Sequence, residues 1–327
     1  TTVTFSMEFL GDYASNKLLK RAQNINGSIS NSPSATAFML TKIYDEDAYN
    51  YLSNVLKYNS GSSMTLFPFD VFETAWVIDN FIKSELPVQN HFMQKLDELF
   101  SQWSPERGIS MSKLYYYEDL DDTATVFYLL NQTNHEVEPS VFEVYEDITH
   151  FNCYPSERGA SPIVNIRVLK AINGLKKYKR KEEIIEKILK YLYNEQREHS
   201  YWIDKWNVSP YYCTGQAVEA INKLDSNLTE KAVNWIVNSQ NMDGSWGSKE
   251  GTQEETSYAL LALLWYHTNI EKIDTSIIKS GQNYLENNFQ NDDYPELWIG
   301  KGLYCPKNVI KSSILAAIHW CKKIKVK

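Results

Sequence analysis

The sequence predicts an all-α protein whose main body is an α/α barrel, and three observations carry that expectation. Glycine (13) and proline (10) are sparse among 327 residues, so few positions break a helix. A short signature, a threonine or its substitute heading an almost wholly apolar stretch, recurs along the chain. Between the copies run charged, amphipathic stretches such as 180–197, whose apolar positions fall at three- and four-residue steps. A helix apolar all round is buried on every side and an amphipathic one faces water, so the two kinds read as inner and outer layers.

Taken in order, the inner signature occurs as Ala35-Thr36-Ala37-Phe38-Met39-Leu40 and Glu73-Thr74-Ala75-Trp76-Val77-Ile78. It returns as Asp122-Thr123-Ala124-Thr125-Val126-Phe127 and Glu255-Thr256-Ser257-Tyr258-Ala259-Leu260-Leu261, with weaker copies near Asn165, Thr214 and Ser312. Neighbouring copies lie about 40–50 residues apart, the length of one helix–turn–helix unit with its loops. In a barrel of this kind all inner helices start at one end, so the polar heads are expected to converge on a single cavity. A second repeat pairs Gln23-Asn24-Ile25-Asn26-Gly27-Ser28 with Gln240-Asn241-Met242-Asp243-Gly244-Ser245. Each precedes an inner helix, and glycine there permits a tight reversal, so these turns are read as structural.

Composition narrows the function. A net charge of -8 without a Lys/Arg block argues against a nucleic-acid surface. No uncharged apolar run reaches the length of a membrane span. Cysteines 153, 213, 305 and 321 are too scattered for a disulfide framework or a CxxC zinc site, which suits a reducing cytosol. Thr1-Thr2-Val3 is not followed by a signal-peptide pattern, and the chain reads as processed, trimmed or begun in mid-protein.

The chemistry is concentrated in Glu118-Asp119-Leu120-Asp121-Asp122-Thr123-Ala124, where an inner helix begins. Three aspartates in four positions cannot all ionise in a desolvated site, so at least one is expected to keep its proton near neutrality. An acid sheltered from water suits protonation of an alkene, and aromatic faces stabilise the resulting carbocation without trapping it. Tyr115, Tyr116, Tyr117, Trp202, Trp206, Tyr211, Tyr212 and Trp298 are candidates for those faces. On the residues alone, helix capping by the acids and a cation site remain open alternatives.

The run Asp119-Leu120-Asp121-Asp122-Thr123-Ala124 resembles the DxDDTA motif of class II terpene cyclases, the copalyl diphosphate synthase family. Lys17-Leu18-Leu19-Lys20, Ser32-Pro33-Ser34-Ala35-Thr36-Ala37 and Phe67-Pro68-Phe69-Asp70-Val71-Phe72-Glu73 are similar to further family segments. So are Asp204-Lys205-Trp206 and Leu297-Trp298-Ile299-Gly300-Lys301-Gly302-Leu303-Tyr304. The resemblance runs in order over nearly the whole chain. It implies that Asp121 donates a proton to the terminal alkene of an isoprenoid diphosphate, with Asp119 and Asp122 tuning it and Asn165 hydrogen-bonding it. It implies that Lys205, and more weakly Lys301, hold the diphosphate, with Trp206, Tyr211 and Trp298 against the hydrocarbon. Mg²⁺ is expected as counterion of the diphosphate, with no metal site of the protein's own.

The implied reaction turns geranylgeranyl diphosphate into a labdane-type bicyclic diphosphate with the diphosphate retained. Asp292-Asp293-Tyr294-Pro295-Glu296 imitates the DDxxD motif of diphosphate-ionising enzymes, but Pro295 breaks the helix such a motif needs. Phe5 and Thr65 stand where plant members carry the polar pair that removes the last proton, so the terminal base lies elsewhere. By the same resemblance residues 1–65 are the C-terminal part of a γ-like helical domain, and 66–327 the β-like barrel carrying DxDD. The rest of the γ-like unit is then a separate segment or absent, and a homo-oligomer is the other partner expected. Three alternatives stand: farnesyl diphosphate giving a drimane-type product; a zinc-dependent prenyltransferase β subunit using Cys213; and a non-catalytic isoprenoid-binding subunit.

Overall fold

The computed structural model describes residues 2–58, 64–86, 90–155, 157–247 and 250–324. The N-terminal helices are α1 (Thr2–Phe5), α2 (Asn16–Ala22), α3 (Pro33–Lys42) and α4 (Glu46–Tyr58). Ser15 and Ser32 cap α2 and α3 by accepting the backbone N–H of Leu18 and Ala35. Met7, Leu19, Ile29, Ala35 and Met39 form a small core here. Helix α4 gives Ala48 to this core, and Tyr51 and Val55 to the larger one that follows.

The chain continues through α5 (Asp70–Lys83), α6 (Asn90–Phe100), α7 (Leu120–Gln132), α8 (Pro162–Asn173) and α9 (Lys181–Glu195). It ends with α10 (Pro210–Ile221), α11 (Ser226–Asn238), α12 (Gln253–Asn269), α13 (Thr275–Asn288) and α14 (Lys307–Lys323). Helices α5, α7, α8, α10, α12 and α14 each pack on the next, and α14 returns to α5, so the ring closes. Helices α6, α9, α11 and α13 lie outside it against their sequence neighbours. The interior of the ring is largely apolar, and at one end buried charges pair across it. In the last turns of α5, α8 and α10, Lys170 meets Asp79 at 2.7 Å and Glu219 at 2.9 Å, and Lys83 meets Glu219 at 2.7 Å. The only sheet among the described residues is the hairpin β1 (Trp298–Ile299) and β2 (Leu303–Tyr304), with Trp298 opposite Tyr304.

The repeated threonine has a structural purpose, which corrects the expectation that the polar heads surround one cavity. In four of the copies the hydroxyl pins the turn that precedes its own helix. Thr36, Thr123, Thr214 and Thr256 accept the backbone N–H of Ile29, Ile109, Trp202 and Trp246 at 2.9, 3.0, 3.1 and 3.0 Å. In α8 Asn165 takes this place, accepting from Phe151 N and donating to Phe151 O, both at 2.9 Å.

The Gln/Gly turns match bond for bond. Gln23 Nε2 donates to Gly27 O and Gln240 Nε2 to Gly244 O, both at 3.0 Å. Gly27 (φ 84°) and Gly244 (φ 89°) lie in the left-handed region. A Cβ there would stand 2.3 Å from Asp47 O or 2.5 Å from Ser280 O, so both glycines combine a conformational and a steric requirement. Gly244→Ala should therefore destabilise the protein by about 1–3 kcal/mol. Gly159→Ala, where a methyl group meets open space, should be near neutral, and thermal melts of the two variants check the contrast.

Candidate active site

A cavity of about 310 Å³ lies at the N-terminal end of α7, under the β1–β2 hairpin and against the N-terminal helices. Asp119, Asp121 and Asp122 all line it. Asp119 is the N-cap of α7, and its Oδ1 accepts the backbone N–H of Asp122 at 2.9 Å. Capping alone would leave these acids at a wet helix end. Here Asp119 and Asp122 are buried, and one oxygen of each, Asp119 Oδ2 and Asp122 Oδ1, has no hydrogen-bond partner.

Burial is the chief cause of their altered acidity. It pushes Asp119 up to about 7, with the Asp121 charge adding to it and the N–H groups of α7 opposing. Asp122 is pushed well above the ordinary range by burial and by the charges of Asp119 and Asp121. Asp121 is raised to about 6 by burial, while the adjacent Arg167 guanidinium pulls it down. The site thus retains protons at neutral pH, and Asp121 is the strongest acid of the three.

Arg167 was not anticipated from the sequence. It projects from α8 into the ring, fully enclosed, with Nε 3.2 Å from Asp121 Oδ1. Its Nη2 donates to Tyr212 OH at 2.9 Å, Trp76 Nε1 donates to the same oxygen at 3.0 Å, and the guanidinium lies 4.3 Å from the Trp76 ring centroid. Its signal was legible: Ile163-Val164-Asn165-Ile166-Arg167-Val168-Leu169 places a cation in a mostly apolar inner helix, where a buried acid is the expected partner.

The anticipated residues divide. Trp206, Trp298 and Lys301 line the cavity with the three aspartates, as do Tyr115, Phe5 and Thr65. Lys301 Nζ is held by Phe5 O, Glu8, and the hydroxyls of Ser32 and Ser34 at 2.7 and 2.8 Å, so it fastens the hairpin to the N-terminal helices. Seven lie outside the lining: the aromatic candidates Tyr116, Tyr117, Trp202 and Tyr212, and Asn165, Tyr211 and Lys205. Asn165 does not bond Asp121, because its amide is spent on Phe151 and on Ser161 O (3.0 Å). Tyr211 points outward onto Trp235, ring centroids 4.8 Å apart, whereas Tyr212, about 100° round the helix, points inward. Lys205 is outside the lining and pairs with Glu157 and Gly159 O. Sequence reasoning also missed Phe69, Phe72, Tyr154 and Tyr304 in the aromatic wall.

Among the described residues no three or more His, Cys, Asp or Glu side chains are grouped to hold a metal ion. The three aspartates, enclosed and drawn toward their neutral forms, are poor ligands for a hard divalent cation. Asp292, in the DDxxD-like stretch, is engaged by Lys311 at 3.0 Å in a segment without helix. Cys213 is enclosed, and burial pushes its thiol well above the usual range.

Comparison with known proteins agrees with this geometry. Residues 158–299 match the family model described as squalene-hopene cyclase C-terminal domain. A type B diterpene cyclase of Mycobacterium tuberculosis (strain ATCC 25618 / H37Rv) is 29% identical over 97% of this chain and 65% of its own length. The solved ent-copalyl diphosphate synthase from Streptomyces platensis superposes with a TM-score of 0.79 at 28% identity, over 91% of this chain and 60% of that one. The chain is a homologue of diterpene cyclases and copalyl diphosphate synthases, and its residues 158–299 carry the squalene-hopene cyclase C-terminal domain. A copalyl diphosphate synthase of Streptomyces anulatus is 30% identical over 81% of this chain and 49% of its own. This cyclase homologue thus spans about half to two thirds of the length of these relatives. No helix among the described residues is long and apolar enough to cross a membrane.

The raised acidity constant of Asp119 carries a sign that stability measurements can read. The native state holds a proton that the unfolded chain releases near 3.8, so stability is lost as pH rises from there through about 7. Asp119→Asn keeps the cap and removes the charge. It should raise stability at about pH 8 by on the order of 2–4 kcal/mol, with no gain below about pH 4. Denaturant titrations at both pH values check this.

Proposed function

We propose that this protein is a class II cyclase that protonates the distal alkene of geranylgeranyl diphosphate and releases a labdane-type bicyclic diphosphate. The observation that carries the reading is a cluster of buried, proton-retaining carboxyls facing an aromatic cavity. An alkene is a very weak base, so the donor must be a strong acid that nonetheless holds its proton. Asp121 meets both demands: burial raises its carboxyl to about 6, so a fraction keeps its proton near neutral pH, and Arg167 makes it the most acidic member of the cluster. Arg167 faces Oδ1, which leaves Oδ2 to carry the transferred proton. Asp119 and Asp122 hold further protons beside it, and we assign them the tuning of the donor.

Proton transfer leaves a tertiary cation at the chain end. Attack by the next alkene, and then by the one after it, closes two rings and moves the charge along the polyene. Trp206, Trp298, Phe72 and Tyr304 line the path of this charge, and their ring faces stabilise it without forming a bond to it. A polyene folded by the cavity is already close to the ring geometry, which removes much of the entropic barrier. Loss of a proton ends the sequence, and the diphosphate is untouched. We assign Lys301, in the cavity lining, to the diphosphate end. Mg²⁺ is assigned as the counterion of that diphosphate. The names of the relatives, copalyl diphosphate synthases among them, support the twenty-carbon substrate over farnesyl diphosphate.

We also propose the division at residue 65, between an N-terminal helical unit and the barrel; the separate small core of Met7 to Ala48 supports such a unit, while α4 already gives Tyr51 and Val55 to the barrel core. The unit exposes Phe9, Tyr13, Ile25 and Tyr44, which supports its contact with further polypeptide, on this chain or another. Four free cysteines support a cytosolic setting.

Incubation with geranylgeranyl diphosphate, then phosphatase and mass spectrometry, should yield a bicyclic alcohol. Asp121→Asn should lower the rate by about 10²–10⁴-fold, the usual contribution of a general acid. Unaltered geranylgeraniol from the parent protein contradicts the substrate, and a fully active Asp121→Asn contradicts the donor. The rate should fall as pH rises past about 6–7, because the donor and its neighbour lose their protons there. Arg167→Gln should move this falling limb to higher pH and lower the maximal rate, since removing the cation leaves a weaker acid. An unmoved limb would separate Arg167 from the donor.

A further inference from the structure

Glu254 opens α12 and is wholly enclosed, yet it is not among the residues that line the cavity. Its Oε1 accepts two hydrogen bonds, from Trp298 Nε1 at 2.8 Å and from Tyr258 OH at 2.9 Å. Its Oε2 is buried without a hydrogen-bond partner. Burial raises its carboxyl to about 8, so near neutral pH Glu254 is an uncharged acceptor.

Trp298 is one of the largest buried side chains and forms part of the cavity wall, but it sits on a two-residue strand. Backbone pairing fixes that strand: Ile299 N donates to Trp206 O and Val208 N to Leu297 O, both at 2.9 Å. Such pairing leaves the side-chain torsions of Trp298 free. Ring contacts with Phe72 (centroids 5.3 Å, 76°), Tyr212 (4.8 Å, 61°) and Tyr304 (6.3 Å, 44°) are tilted or edge-on, and they pack the ring without engaging its N–H. The hydrogen bond to Glu254 supplies the missing direction, because a buried indole N–H turned away from its acceptor would be left unpaired.

We propose that Glu254 is a positioning residue that fixes the indole of Trp298, and so the shape of the cavity wall that selects among the products of cyclisation. The inference rests on the cyclase reading above. The cation has several competing fates, namely ring closure, hydride movement and proton loss at different carbons, and the wall decides which is nearest. A turned indole changes that partition without touching the proton donor.

Two variants and two readouts test this. In ¹⁵N–¹H spectra of the full chain, the Trp298 indole signal, assigned with Trp298→Phe, should shift and exchange faster in Glu254→Leu. In Glu254→Gln, which keeps an acceptor oxygen, it should stay near its parental position. With geranylgeranyl diphosphate, Glu254→Leu should change the ratio of minor to major products about fivefold, the partition that loss of one hydrogen bond produces. Glu254→Gln should restore the parental ratio, and Trp298→Phe should change it in the same sense as Glu254→Leu. An unshifted Trp298 signal in Glu254→Leu overturns the positioning role, and so does a Glu254→Gln protein as disturbed as Glu254→Leu. A shifted signal with an unchanged product ratio overturns the selectivity claim. A parent protein that cyclises nothing overturns the cyclase reading and the selectivity claim together, while the indole signal still decides whether Glu254 holds Trp298.

Discussion

Everything in this molecule depends on keeping three carboxyl groups dry. Asp119, Asp121 and Asp122 occupy adjoining positions at the start of α7, where a helix N-terminus would ordinarily favour charged, hydrated carboxylates. The closed ring of inner helices reverses that preference by withholding water, and enclosure outweighs the helix amides at every one of the three. The arrangement is destabilising for the fold and useful for chemistry, a trade expected where buried groups are poised for proton transfer.

Rigidity elsewhere makes this tolerable. The threonine hydroxyls that tie α7, α10 and α12 to their preceding turns hold the mouth of the barrel in register, with Asn165 serving the same end in α8. At the far end, the charges on α5, α8 and α10 neutralise one another inside the ring. Arg167 lies within the Coulombic influence of Asp79 as well as Asp121. Through Arg167 the acidity at the cavity is therefore linked to the ion pairs of Asp79 and Lys170. The hairpin completes the cavity, with Lys301 binding it to the N-terminal helices and Gly300 lying so close to Thr65 that a Cβ would stand 2.5 Å from its methyl.

The helical layers were legible because their signals are periodic: Thr-headed apolar runs and amphipathic partners survive any local error of a residue or two. The aspartate cluster was legible because three acids in four positions have few ordinary uses. What escaped depends on rotation about a helix axis and on contacts between helices distant in sequence. Tyr211 and Tyr212 are adjacent, and only the phase of α10 tells which faces inward. Asn165 carries a motif likeness, but its partner is chosen by the turn at Phe151, and the acid's true neighbour is two residues further along. Phe72, Tyr154 and Tyr304 reach one wall from three separate stretches of chain, which no local pattern announces.

The central claim is that carboxyl groups in this cluster remain protonated near neutral pH. Infrared spectroscopy of the protein with ¹³C-labelled aspartate tests it without substrate, through the C=O stretch of an undissociated acid. The account predicts an isotope-shifted acid band that persists at neutrality, fades as pH rises past about 7, and weakens in the single aspartate-to-asparagine variants. A spectrum containing only carboxylate bands at neutral pH, or an acid band indifferent to all three substitutions, would contradict it.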